Sequence, residues 1–455
     1  MPKQSRPTSP STWRRRSWAS LRSTPRSNRI TRVLTAILLF VCVLHAYDKF
    51  CTARWELSIK YSPTQFTRLS VEEQIRLADP QWQSNESTEL APYQDSTDKS
   101  AYSRAALLND GLQWTKLGGG FEGETFRYRD VVIKVYRERH TPLRNCMLGR
   151  EPEQRWPTEV AASLIMGGMR GRGETIEDDA SFLPVIDYFL ASPPAKDQLQ
   201  SRKWHFVTEF QANGNLGKLG QRLRESESVY TARDLDTIFR PSLNRVLQAL
   251  EDMHANHDLC HDDLKMDNIF LGNRHNATER LPPTEATHWL LADLGNARER
   301  EHAYHATTIW RSRNLMDCRA NDVVRLMKTY LEFLRMSVDD LERFDAELFE
   351  AAEPWSRLSW SVLDGSQQQY RTTAGSVLNR SLEDFMPTNA PLAGAPRQPF
   401  SFHNPLARLF AGRRWALSSA TQRILEVQAR ERSARVWGMA SVFGVPYPSC
   451  ADTTP

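Results

Sequence analysis

The chain has 455 residues, 40% of them apolar and 25% charged, an ordinary globular composition with room for a two-lobed domain and extensions. Its net charge of +4 is unevenly placed: nine Lys or Arg and no acid fall in residues 1–32, and 59 less nine leaves 50 basic against 55 acidic residues. The body of the protein is therefore slightly acidic, which argues against a globally basic nucleic-acid binder, so no nucleic-acid partner is expected.

Behind the basic tail, residues 1–32, comes "VLTAILLFVCVLHAY", Val33–Tyr47, with no formal charge before Asp48. Fifteen helical residues span about 22 Å, short of a hydrocarbon core of roughly 30 Å. Thr31 and a snorkelling Arg32 lengthen the run. An uncleaved signal anchor over 33–47 is the leading expectation, with a cleaved signal peptide or an organellar transit peptide as alternatives. The Arg- and Ser-rich leader suits a transit peptide, whereas Leu44 before Ala46 makes a poor cleavage site. For an anchor, the positive-inside rule leaves the tail cytosolic and everything after Asp48 luminal or outside, a single-pass type II arrangement. Three sequons, at Asn85, Asn276 and Asn379, suit a glycoprotein on that side. Apart from Cys42 in the apolar run, the cysteines are Cys51, Cys146, Cys260, Cys318 and Cys450. This widely spaced set reads as neither a disulfide framework nor a zinc site; one or two disulfides are allowed and the pairing is open.

Residues 48–105 are polar and read as a stem or linker. From there "LQWTKL", "GETFRYRD" and "VVIKVY" predict three strands, and "TEVAASLIMGGM" a helix ending at Gly167-Gly168. "FLPVIDYFL" and "WHFVTEF" predict two more strands. The stripe Leu243, Val246, Leu247, Leu250 and Met253 then predicts a helix. Strands with one helix followed by helices imply an α+β, two-lobed plan over residues 106–345. Residues 346–455 suggest an extension of the helical part with no helices assignable, and "MPTNAPLAGAPRQPF" is expected to be irregular.

The stretch "LCHDDLKMDNIFLG", Leu259–Gly272, concentrates chemistry. A solvated acidic loop is the bland interpretation, but the spacing H-x-D-L-K-x-x-N is restrictive. Upstream, Gly118, Gly120 and Gly123 form G-x-G-x-x-G between two strands, the context of a flap over nucleotide phosphates and not of a dinucleotide fold. Lys134 stands inside an apolar strand, where an ammonium without a partner would be costly. Downstream, Asp293-Leu294-Gly295 ends another apolar strand. Asp293 and Asn268 offer hard oxygens of the kind magnesium takes beside phosphates.

In this order, G-x-G-x-x-G, V-V-I-K, H-x-D-L-K-x-x-N and D-L-G resemble a eukaryotic protein kinase over about residues 112–330. The resemblance implies ATP and magnesium as cofactors and a hydroxyl acceptor on protein or glycan. It assigns Lys134 to the α- and β-phosphates, with Glu159 as its ion-pair partner and Glu151 and Glu153 as neighbouring alternatives. Gly118, Gly120 and Gly123 cover the phosphates, Thr208 is the gatekeeper, and the Glu209–Gln211 backbone meets adenine. Asp263 orients the acceptor and takes its proton, Lys265 neutralises the transferred group, Asn268 and Asp293 hold metal, and Asp322 braces the catalytic loop.

Departures matter too. Asp262 stands where Arg is usual, so no cation waits there for an activation-loop phosphate, and a switch of that type is not expected. Thr307 and Trp310 keep the spacing of T-x-x-Y-x-A-P-E, but Ser312-Arg313-Asn314 replaces Ala-Pro-Glu. Lys265 and Thr307 favour transfer to protein Ser or Thr. A luminal kinase acting on a sugar and a catalytically inactive pseudokinase scaffold are the alternatives; the latter lacks its usual signature, since Lys134, Asp263 and Asp293 are all present.

Overall fold

A computed structural model describes residues 25–66, 104–120, 122–137, 143–146, 155–169, 180–191, 202–226, 229–272, 288–310, 317–365, 372–385, 405–426 and 431–446. Asn85, Asn276, Glu151, Glu153, Ser312–Asn314 and residues 386–400 lie outside them. The chain divides into two compact units between Thr52 and Ala53.

Helix α1, Pro25–Lys60, enters with an apolar stretch long enough to cross a membrane: Arg29–Lys60 is 32 residues with mean hydropathy 2.0 in its most apolar window. The helix does not stop at Asp48, where the sequence suggested a stem. In "DKFCTARWELSIKY" the positions Ala53, Leu57 and, just past the helix end, Tyr61 recur every four residues and fall on one side. All three are buried, within the second unit, against Cys260, Tyr304, Ile309, Trp310, Cys318 and Ala434. The segment 53–66 thus belongs to the core of the second unit.

That unit is mixed α and β. A short helix α2, Arg104–Asn109, precedes strands β1 (Thr115–Gly119), β2 (Gly123–Tyr128) and β3 (Val131–Tyr136). A two-residue pair, β4 (Asn145–Cys146) with β5 (Arg155–Trp156), leads to α3 (Thr158–Gly167). Gly168, at φ +66°, ends α3 in a conformation that costs glycine nothing, and its carbonyl accepts from Val185 N. Strands β6 (Val185–Ala191) and β7 (Lys203–Glu209) complete an antiparallel five-stranded sheet, ordered β1-β2-β3-β7-β6.

Helices follow: α4 (Leu216–Arg224), then α5 (Ala232–Ala255), opened by a Thr231–Asp234 capping box. Beyond α5, β8 (Leu259–Cys260) flanks the first acidic loop, and β9 (Ile269–Leu271) pairs with β10 (Trp289–Leu291). The strand β11 (Arg298–Glu299) returns to pair with β8. Helix α6 (Cys318–Ser337) then packs on α4 and α5, and Phe239, Trp289, Tyr330 and Phe333 meet edge-on and stacked between them.

Residues past 345 are more regular than the sequence suggested. They complete α7 (Leu341–Glu350) and form α8 (Pro354–Gly365), α9 (Ala374–Phe385), α10 (Pro405–Leu425), α11 (Glu431–Trp437) and α12 (Ala440–Phe443). Trp355, Leu358, Val362, Ala374 and Val377 join the same core as Leu247 and Leu250. Each large apolar side chain so buried contributes about 2 kcal/mol before entropy is charged. Asn379 is exposed on α9, while Ser381 of the same sequon is buried and donates to Asn244 Oδ1 at 2.6 Å.

Candidate active site

Lys134 Nζ is the centre of the site. It donates to Glu159 Oε2 at 2.6 Å and Asp293 Oδ1 at 2.9 Å, and Glu122 Oε2 stands 3.5 Å away. Strand β3 delivers the lysine, α3 the glutamate, and the turn after β10 the aspartate. Tyr136, two residues beyond Lys134 on the same strand face, donates to Glu159 Oε2 at 2.5 Å. Burial opposes the Lys134 charge, but the surrounding carboxylates outweigh it and hold its pKa well above the ordinary lysine range. Burial also works against the Asp293 carboxylate, which Lys134 nonetheless keeps ionised below its ordinary value.

The cleft around this cluster is lined by Val132 and Thr208 from the sheet and by Asp267, Asn268, Phe270 and Leu291 from the opposite wall. Apolar walls with a few convergent charges suit a ligand that has a flat base and a charged tail. Thr208 is buried at the inner wall, Glu209 closes β7, and Phe210 N donates to Asp130 O at 2.7 Å. Gln211 is buried, and neither atom of its amide has a hydrogen-bond partner. Of the three motif glycines, Gly123 is sterically required: a Cβ there would lie 2.3 Å from Val135 O. Gly118 and Gly120 face open space instead.

The loop after β8 is held from below. Asp322 of α6, fully buried, accepts from His261 N at 2.7 Å and Asp262 N at 2.9 Å. His261 Nε2 donates to the Ala292 carbonyl at 3.2 Å, so Nδ1 is free to accept from Asp263 N at 3.3 Å. Lys265 Nζ donates to Asp263 Oδ2 at 2.7 Å. Asn268 Nδ2 donates to Asp263 O at 2.9 Å, and Ala292 N donates to Asn268 O at 3.0 Å. Asp263, Lys265 and Asn268 therefore form one connected group, which the Ala292 amide ties to the residue before Asp293. Asp262 and Asp293 both adopt left-handed backbone, φ +61° and +60°, a strain of about 1 kcal/mol or more that packing must offset.

Asp262 is buried too. Its carboxylate accepts from His305 Nε2 at 2.8 Å and Trp310 Nε1 at 3.0 Å, with Arg298 Nη1 3.4 Å away. Asp262 thus grips the following segment through His305 and Trp310. A second clamp comes from segment 53–66. Glu56 Oε1 accepts from Thr308 N at 2.6 Å, Thr64 Oγ1 donates to Ala297 O at 3.0 Å, and Arg298 Nη2 donates to Lys60 O at 3.0 Å. The disulfide Cys260–Cys318 ties β8 to the start of α6, and Cys146 is disulfide-bonded as well.

Three participants escaped the sequence. Glu122 occupies a variable position of the glycine motif, and Tyr136 is signalled only by the two-residue period of β3. The third, Arg325 of α6, places Nη1 3.9 Å from Asp263 Oδ1, and its Nε is buried without a hydrogen-bond partner among the described residues. Thr307, by contrast, gives its hydroxyl to Tyr304 O at 2.8 Å, without a bond to Asp263 or Lys265. A scan against protein-family models finds none that matches this chain, and none of the curated proteins matches it either.

Proposed function

We propose that the second unit is a two-lobed, protein kinase-like domain that transfers the γ-phosphoryl of ATP to a hydroxyl. The observation that carries this reading is the single ammonium of Lys134 bonded to Glu159 and Asp293, beside an Asp263–Lys265–Asn268 group. One half-buried cation shared by carboxylates from two walls is what a polyphosphate site needs: a fixed positive charge already oriented.

Asp263 receives the acceptor hydroxyl, orients it and takes its proton. Lys265, whose pKa Asp263 raises against the effect of burial, spreads positive charge over the transferred group. Lys134 holds the phosphates in register, and Glu159 and Tyr136 hold Lys134. The donor set suits magnesium. Asp293 commits only Oδ1 to Lys134, and the Asn268 amide gives its NH₂ to Asp263, leaving a carboxylate oxygen and an amide oxygen. Bound there, the metal would supply positive charge over the β- and γ-phosphates.

Asp263→Asn tests the assignment. Turnover of ATP with acceptor should disappear while nucleotide affinity persists, because the group acts on the acceptor in the transition state. Undiminished transfer would overturn it.

A second reading, a non-protein acceptor such as a glycan, gains from Thr307 and Arg325. With Thr307 engaged elsewhere, the preference for protein Ser or Thr loses one of its two supports. A largely buried guanidinium beside the base, its Nε without a hydrogen bond, fits an oxygen-rich acceptor. For location, two disulfide-bonded cysteine sites favour the luminal or outer side, behind a type II anchor, over a reducing compartment.

A further inference from the structure

Helices α11 and α12 wear their polarity inside out. Glu431 pairs with Lys60 and accepts from Arg435 Nε at 2.8 Å, and Arg435 Nη2 donates to Tyr61 OH at 2.8 Å, all at the inner face. Ala434 is buried there, and a Cβ on Gly438 would stand 3.0 Å from Leu57 Cδ1. The outer face carries Val436, Trp437, Met439, Val442 and Phe443, exposed by 70%, 47%, 43%, 66% and 59%. Five large apolar side chains within eight positions form a patch that a monomer in water seldom keeps.

Chain continuity bounds how far that patch is from the apolar run. Arg54 Nη1 donates to Gly444 O at 2.6 Å, so the residue after Phe443 is fastened to a side chain near the start of the second unit. Along α1, Arg54 follows Tyr47, the last residue of the uncharged apolar run, by a helical rise of only about 10 Å. Trp55 is 60% exposed on the same helical turn as Arg54. Aromatic residues with flanking arginines, at the end of an apolar helix, have the composition of a headgroup-level belt.

We propose that α11 and α12 form a membrane-docking element, with Val436, Trp437, Met439, Val442 and Phe443 seated at the headgroup–acyl boundary of the bilayer that α1 crosses. The inference rests on α1 being a membrane span. Lys60, Tyr61, Glu431 and Arg435 then connect the docked element to segment 53–66, and through Glu56 and Thr308 to the segment beside the catalytic loop. Docking would fix which face of the catalytic unit meets the lipid.

The test uses the full chain in phosphatidylcholine nanodiscs, with a diazirine phenylalanine analogue placed singly at Phe443, Phe40 or Leu382. Leu382 is a 50% exposed residue of α9 and serves as the reference surface. After illumination, mass spectrometry should find acyl-chain adducts at 443 and 40 and none at 382. Trp437→Asp combined with Val442→Asp should reduce the adduct at 443 about fivefold or more and leave that at 40 unchanged. Labelling at 40 without lipid adducts at 443 would overturn docking while sparing the anchor. Adducts at 443 to a second copy of the chain would overturn it in favour of a protein interface. Loss of labelling at 40 would remove the anchor, and docking with it.

Discussion

Glu122 Oε2 lies 3.5 Å from Lys134 Nζ, a third carboxylate around one ammonium after Glu159 and Asp293. It reaches in from the glycine turn, the element expected to close over phosphates. A phosphate oxygen arriving at Lys134 must compete with it. Glu122→Gln should therefore tighten ATP about fivefold, the effect of roughly 1 kcal/mol for a partly exposed pair. Calorimetric titration in magnesium measures this; an unchanged or weaker affinity would show that Glu122 does not compete.

Asp293→Ala removes a hard oxygen and one of the partners of Lys134. Native protein should bind ATP more tightly with magnesium than with a chelator present, and the variant should lose that difference. Equal affinity in the native protein under both conditions would favour a metal-independent pseudokinase.

His305 donates from both ring nitrogens, to Arg300 O at 2.9 Å and to Asp262 Oδ2 at 2.8 Å, which only the imidazolium can do. Burial opposes this charge, but Asp262 outweighs it and raises the His305 pKa above 6.5. The resulting stability is fully present below pH 6.5 and is lost as pH rises through the folded value. His305→Asn should flatten this alkaline decline in urea-unfolding midpoints measured between pH 6 and pH 9.

His205 behaves oppositely. It stacks on Phe189 at 4.9 Å, its Nδ1 donates to Lys203 O, and its Nε2 is buried without a partner. Burial pushes its pKa down to about 4. Its folded pKa lies below the unfolded value of 6.5, so the neutral ring stabilises fully above pH 6.5 and progressively less down to pH 4. The loss amounts to about 3 kcal/mol. His205→Phe should abolish that acid limb in thermal melts from pH 7 to pH 4.

Leu57 is fully buried against the core around Trp310 and Cys318. Leu57→Ala should cost about 3 kcal/mol, as deletion of a buried leucine side chain does. A midpoint shift within error of zero in the denaturant unfolding of the full chain would mean that segment 53–66 is not part of the cooperative core.

What was legible in the sequence follows the range of the forces involved. The strand "VVIKVY" and the helix "TEVAASLIMG" declare themselves by local period and composition; the apolar strand signalled that Lys134 needed a partner, while Glu159, over Glu151 and Glu153, came only from the kinase resemblance. Segment 53–66 was hidden because its four-residue stripe begins within a helix whose earlier turns are apolar all round. Arg325 was hidden because a charged residue on an amphipathic helix looks like solvent-facing polarity until its neighbours are known. The helices α7, α8 and α9 carry amphipathic stripes comparable to that of α5, so they were legible in principle, and packing against α5 and α6 completes their burial.

Because Thr64 and Phe66 are buried beside Ala297 and Trp156, the polypeptide enters the core well before the sheet begins. A protease that cut between Phe66 and Arg104 would not separate the whole second unit from α1. It would leave a plug of the fold, Ala53–Phe66, on the amino-terminal side of the cut, still held by Glu431, Arg298 and Asn145. Release of the second unit intact therefore requires cleavage upstream of Ala53, at or before the boundary between the two units.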